Sequence, residues 1–294
     1  MKKIIVTTTI NEPTKATKLY NSIPDWDFLV VGDTKTPHES YNNYNYLHPC
    51  DQEKLDKPLS DMIGWKCIQR RNMGFLYAIK NNYDIIATVD DDNIPYDTWG
   101  NLFDSRTSVN CYSSDVGFFD PLSVTPYSNL WHRGFPLQYV HKKNIVKKTP
   151  NKVVKEFDVQ ANLWDGDPDI DAVCRMIYAP ECKFDPDMEW FTTTDLAPFN
   201  SQNTILKRNA LKYYFMFPGV GRMDDIFGSY VLQKKGFNVV YGPPTVYQDR
   251  NDHDLTVDMK KEYVGYENVK DITNSLDFIP MDAYNRYVQL TTNT

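Results

Sequence analysis

"DIIATVDDDNIP", residues 84–95, sets three aspartates directly behind Ile85 to Val89, five residues with the apolar, β-branched character of a buried strand. Adjacent ionised carboxylates repel, so Asp90, Asp91 and Asp92 cost energy at a strand end unless a cation, hydrogen-bond donors or protonation compensates them. A hard divalent cation meets that requirement. Magnesium or manganese takes oxygen ligands and binds through one or two carboxylates plus the phosphates of a substrate, which the Asp90-x-Asp92 pair can supply. The same three residues could equally form an acidic turn capping a helix that starts near Pro95.

Upstream of this stretch, "IIVTTTI" (4–10), a helix opened by Asn11 and Pro13, "FLVVGD" (28–33) and a helix from Ser60 to about Lys80 alternate in type. Such alternation predicts βαβ units and a parallel sheet. Ligands of open α/β sheets collect at the carboxyl ends of the strands, and those ends carry Thr9, Asn11, Asp33 and the triple aspartate. The predicted 60–80 helix has Ser60 as N-cap and Arg70 and Arg71 in its middle, where two arginines usually make a solvated face. Residues 33–59 are polar with little periodicity and read as an irregular loop.

Downstream, from about 105 to 205, the chain turns irregular and rich in Trp, Tyr, Pro and Asp, as expected of a substrate-facing half. In "DGDPDIDA" (165–172), Asp167 fits an N-cap with Pro168 behind it; alternatively Asp165 or Asp167 faces a sugar hydroxyl. "GRMDDIFGSYVLQKKG" (221–236) predicts a helix with Asp224 and Asp225 in its first turn and Gly236 as its stop. Those two acids may simply cap the helix, or one could deprotonate an acceptor hydroxyl as general base. "FNVVYG" (237–242) is a further strand, charged helices follow to Thr294, and no repeat or linker divides the chain. Trp131, Trp164 and Trp190 suit stacking on sugar faces if exposed, although most such tryptophans are core.

The 294 residues are 41% hydrophobic and 14% aromatic, enough for a sizeable core, and the net charge of −7 supplies no basic stripe for a phosphate backbone. Nucleic acid is therefore disfavoured as a partner. Five widely spaced cysteines with no CxxC pair fit neither a zinc site nor a disulfide framework and point to a reducing compartment. With no secretory leader and no stretch of membrane-spanning length, the expectation is a soluble cytoplasmic protein.

Seven short motifs in order, "FLVVGD", "QRRNMGF", "TVDDDN", "RGFP", "LWDGDPDIDA", "PFNSQNT" and "GRMDDIF", cover residues 1 to 265. In these the chain resembles the reversibly glycosylated polypeptides, which include the UDP-arabinopyranose mutases, and the related STELLO-type glycosyltransferases. The resemblance implies a GT-A type α/β fold: a Rossmann-like nucleotide-binding half (1–104) fused to an acceptor-binding half (105–255) around one mostly parallel sheet, with a helical extension over 256–294. It implies that Thr9, Asn11, Asp33 and Arg71 line the nucleotide pocket, with Asp91, Asp165 and Asp167 also facing the nucleotide sugar. Asp90 and Asp92 would hold Mn2+ or Mg2+ against the diphosphate of a UDP-sugar. The third ligand would be Asp249 by position or His253 by chemistry. Arg133 matches the arginine glycosylated in the polypeptide family, and Asp225, beside Asp224, matches an acid that could serve as catalytic base.

Three functions follow as expectations. The first is a metal-dependent glycosyltransferase acting on a hydroxyl acceptor, with modified bases of phage-type DNA as a minor possibility. The second is a UDP-sugar mutase working through Arg133, and the third a non-catalytic nucleotide-sugar-binding subunit.

Overall fold

A computed structural model describes residues 1–249 and 254–292. Its first unit contains β1 (Lys3–Thr9), α1 (Lys15–Tyr20), β2 (Asp27–Gly32), β3 (Asn45–Leu47), α2 (Pro49–Leu55), α3 (Lys57–Ile63), α4 (Arg71–Lys80) and β4 (Ile85–Val89). β1 lies between β2 and β4 with β3 outside β2, all parallel, as the alternation predicts. Alternate β1 side chains enter different cores: Ile4 and Val6 join one apolar cluster and Ile5 the other, so both sheet faces are covered.

Two expectations for this unit are corrected. The polar tract 33–59 is ordered, because the buried amide of Gln52 on α2 donates to the carbonyls of Gly32 and Leu47 and ties α2 to β2 and β3. The 60–80 helix is two helices. Asp56, not Ser60, caps α3 by accepting from the Leu59 amide, and Gly64, at φ 76°, ends it. A 3-10 turn, Ile68–Arg70, then leads into α4 and turns both arginines inward, where each is fully buried.

No helix begins at Pro95, because Asn93–Pro95 is a strand, β5. The second half adds β6 (Asn110–Ser114), β7 (Val146–Lys148), β8 (Val159–Asn162), β9 (Asp165–Gly166), α5 (Ala172–Tyr178), β10 (Phe191–Thr193), β11 (Asn203–Lys207), α6 (Arg208–Leu211), α7 (Asp224–Lys234), β12 (Val239–Gly242), β13 (Val246–Gln248), α8 (Leu255–Tyr266) and α9 (Asp282–Thr292). The main sheet runs β3-β2-β1-β4-β11-β8-β12-β10-β6-β7. It is mixed rather than mostly parallel: β11 is antiparallel to both β4 and β8, β10 to β12, and β7 to β6. Parallel neighbours need helical crossovers, and between β6 and β11 the described residues hold one α-helix, α5. That helix is capped by Asp171, which accepts from the Cys174 amide, and not by Asp167.

A small second sheet, β5-β13-β9, sits beside the end of β4 and pairs Asn93 with Gln248 and Gly166 with Gln248. α9 packs on α3 and α4, where Arg286 pairs with Asp56 at 2.5 Å. α8 packs on α5 and on the turn 221–223 that precedes α7. All five cysteines are free thiols, and no helix among the described residues is long and apolar enough to cross a membrane.

Candidate active site

The carboxyl ends of β1, β2 and β4 border a pocket of about 260 Å³ that brings together Thr9, Asn11, Asp33, Arg71 and Asp90 to Asp92. A second pocket, of about 240 Å³, is lined by Gln69, Arg133, Ser201, Gln202, Arg222, Asp224, Asp225 and Gln248. Ile68, Asp90 and Asp92 line both, so the two spaces meet at the aspartates.

In the first pocket the charges are held by short hydrogen bonds. Asp91 accepts from the Thr9 hydroxyl at 2.5 Å and the Asn11 amide at 3.1 Å, so it fastens the β1 end to the β4 end. Asp33 accepts from the backbone amides of Lys66 and Cys67 with one oxygen and from Thr34 with the other, which pins the loop after α3 over the β2 end. Arg71 donates to Asp90 at 2.6 Å, to the Thr8 hydroxyl, and to the carbonyl and hydroxyl of Ser201 at 2.9 Å. Arg70, to which the sequence assigns no role, also lines this pocket. Its guanidinium is bound by Gln52, Ser60 and Gly64 and stacked 3.7 Å over Trp65, and burial pulls its pKa down to about 10.

The second pocket is backed by a buried ion-pair network. Arg133 donates to Asp169 at 2.7 and 2.9 Å, to Asp225 at 3.1 and 3.4 Å, and to the carbonyl of Arg222. Although burial alone would lower it, pairing with Asp169 and Asp225 raises the Arg133 pKa, so the guanidinium stays charged. Burial opposes ionisation of Asp169 as well, but Arg133 holds that carboxyl well below the usual range. Asp225 also accepts from the amide of Ser201 at 2.9 Å, its hydroxyl at 3.2 Å and the Ile226 amide.

Asp224 differs from its neighbour. Its carboxylate takes a hydrogen bond from the Gln69 amide at 2.9 Å, and burial, followed by the charge of Asp225, pushes its pKa up to about 7. Of the pair, Asp225 is committed to the network while Asp224 is the acid poised to exchange a proton near neutrality.

Asp165 and Asp167 fall outside both pockets' linings. Asp165 accepts from the Phe184 amide and the Tyr96 hydroxyl, and Asp167 pairs with Arg175, so both secure the β9 region. Trp131 and Trp164 are buried, with indole N–H groups donating to Asp171 and the Asp167 carbonyl, and Trp190 packs against Phe103. None of the three lines either pocket.

The donor set at the junction consists of oxygens, which suits a hard cation. Asp90 spends one oxygen on Arg71, and the amide of Asp249 donates to the carbonyl of Asp92, which brings the expected third ligand's backbone beside the pair. His253 lies outside the described residues. No group of three metal-ligating side chains converges among the described residues, so a cation at Asp90 and Asp92 would complete its shell from a bound diphosphate and water.

Gln248 escaped the sequence reading, as did Asp169 as the partner of Arg133, while Gln69 and Arg222 stood there only as members of "QRRNMGF" and "GRMDDIF". Ser201 and Gln202 were visible only as part of "PFNSQNT".

No family model matches the chain. Two plant proteins of Arabidopsis thaliana, named "Probable glycosyltransferase STELLO2" and "Probable glycosyltransferase STELLO1", are each 24% identical to it over 274 residues. The alignments cover 84% of this chain and 36% and 35% of the two relatives, so the chain spans about a third of their length. This similarity runs over most of a chain that is a mixed α/β structure with two pockets meeting at Asp90 and Asp92.

Proposed function

We propose that the chain is a metal-dependent glycosyltransferase that takes a sugar from a nucleoside diphosphate donor, UDP-linked as the resemblance implies, and passes it to a hydroxyl acceptor. The observation that carries this reading is the meeting of two pockets at Asp90 and Asp92. The nucleotide occupies the pocket at the strand ends, and the acceptor enters the pocket bordered by Asp224.

Asp90 and Asp92, with Asp249 beside them, would hold Mn2+ or Mg2+, which when bound would neutralise charge gathering on the departing diphosphate. Arg71 fixes Asp90 by a 2.6 Å bond and keeps it oriented. As the bond between the sugar and the diphosphate breaks and the bond to the acceptor oxygen forms, Asp224 takes the acceptor's proton. A carboxylate with a pKa near 7 is a stronger base than one saturated by donors. Asp225 and Arg133 hold the start of α7 and the Ser201 loop in place.

The mutase alternative requires a neutral, nucleophilic Arg133, and its contacts with Asp169 and Asp225 disfavour losing the proton. The experiment that separates the readings is incubation with UDP-sugars and Mn2+ in the absence of acceptor. A transferase gives slow hydrolysis, a mutase an isomerised nucleotide sugar, and a binding module no change.

A further inference from the structure

The wall of the acceptor-side pocket contains a polar group that the mechanism above leaves unused. Gln248 ends β13, opposite Asn93 in register and one residue from Asp249, and the residue borders the acceptor-side pocket together with Asp90 and Asp92. The residue is only 3% exposed, yet its Oε1 accepts no hydrogen bond. Its partner across the strands repeats the pattern. Asn93 is fully buried, its amide nitrogen donates to the carbonyl of Gln202 at 3.0 Å, and its Oδ1 is unpartnered.

Directly opposed residues of an antiparallel pair project to the same side, so two amide oxygens without donors sit together beside the aspartates. Buried carbonyl oxygens of this kind are rare because each forfeits its hydrogen bond to water, and one in a residue that lines a pocket gains a partner when its amide turns toward a ligand there. The strand that carries Gln248 packs closely on β9: a Cβ on neighbouring Gly166 would come within 2.5 Å of the Gln248 carbonyl.

We infer that Gln248 is a specificity-determining residue for the transferred sugar, its Oε1 accepting a hydrogen bond from a hydroxyl of the sugar ring while the nucleotide and diphosphate are held elsewhere. This rests on the donor reading above and adds the contact that distinguishes a sugar nucleotide from the bare nucleotide. An amide oxygen recognises a hydroxyl donor and gains nothing from the diphosphate, so its removal acts on the sugar alone.

The test is calorimetric titration of the whole chain in Mn2+ with UDP, UDP-glucose, UDP-galactose, UDP-xylose and UDP-arabinopyranose, repeated on Gln248→Leu and Gln248→Ala. Gln248→Leu keeps the volume and removes the unpaired oxygen, so its melting temperature should equal or exceed that of the unaltered chain. The expected result is that UDP binds all three proteins within about twofold, while the tightest sugar nucleotide loses about tenfold in both variants. Equal loss of UDP itself would mean that the amide serves the metal or the diphosphate, and would overturn the inference. So would unchanged sugar-nucleotide affinity in the variants, or an unaltered chain that binds every sugar nucleotide no better than UDP. Absence of binding by UDP and all four sugar nucleotides would instead remove the donor reading, and this inference with it.

Discussion

The acids at the ends of β1, β2 and β4 and the acids behind the acceptor-side pocket are balanced in different ways. Asp90, Asp91 and Asp92 are partly buried; Asp90 pairs with Arg71, and Asp91 accepts from Thr9 and Asn11. Asp169 and Asp225 are buried, and Arg133 answers both of them. The first region is a platform between the two pockets, tied to the strand ends by hydrogen bonds to Asp90 and Asp91. The second is wired internally, with Asp224 as the acid left to titrate near neutrality. On the function proposed above, the first region receives the donor complex, while the paired charge of the second holds the pocket's shape.

The sharpest break of this comparison is Asp92→Asn. It should abolish turnover, with a loss of about 10³-fold or more, and remove metal-dependent nucleotide binding while the melting temperature stays within a few degrees. Normal activity in that variant would deny the platform its role. Next in size is Asp169→Asn, which leaves a buried guanidinium short of one carboxylate and should cost about 3–5 kcal/mol in chemical denaturation. A loss comparable to that of a surface ion pair, below about 1 kcal/mol, would show that the network is not wired as described.

Asp224→Asn should lower turnover by about 10²-fold without weakening donor binding. The pH dependence sharpens the assignment. For the unaltered chain, kcat/KM should climb as pH rises toward about 7 and then level, and the variant should lose that limb. Stability moves the other way. The folded chain keeps the Asp224 proton that the unfolded chain releases near pH 4, so this contribution is complete below pH 4 and is lost as pH rises through about 7. At pH 8 the variant should therefore melt a few degrees higher than the unaltered chain, with the difference closing toward pH 4. The smallest effect is expected for Asp167→Asn, a partly exposed partner of Arg175 outside both pocket linings. Nucleotide affinity should be unchanged and stability altered by under about 1 kcal/mol.

The same contrast explains what could be read from the sequence. The donor platform is local: apolar β-branched runs fix the strands, and the residue after each run is by construction at the strand's carboxyl end, which exposes Thr9, Asn11, Asp33 and Asp90 to Asp92 to inspection. The acceptor-side pocket gathers residues 69 and 222 from 3-10 turns, 133 and 201 from irregular chain and 248 from a three-residue strand, none of which carries a period, around Asp224 and Asp225 at a helix start that is legible. The inward turn of Arg70 and Arg71 was concealed because an apolar spacing from 63 to 79 suggests one helix, while Gly64, the residue that ends α3, reads within that pattern as a tolerated interruption. Asp165 and Asp167 look like sugar ligands in a string of acids, yet their nearest donors, Phe184 and Arg175, lie eight to nineteen residues away and consume them.

The most direct test of the account is the melting temperature of the chain with UDP, in the presence and absence of Mn2+, compared with that of Asp92→Asn. A Mn2+-dependent rise in the unaltered chain that disappears in the variant is the predicted result. No rise with UDP or any UDP-sugar, or an equal rise in the variant, would contradict the claim that the three aspartates assemble the donor site.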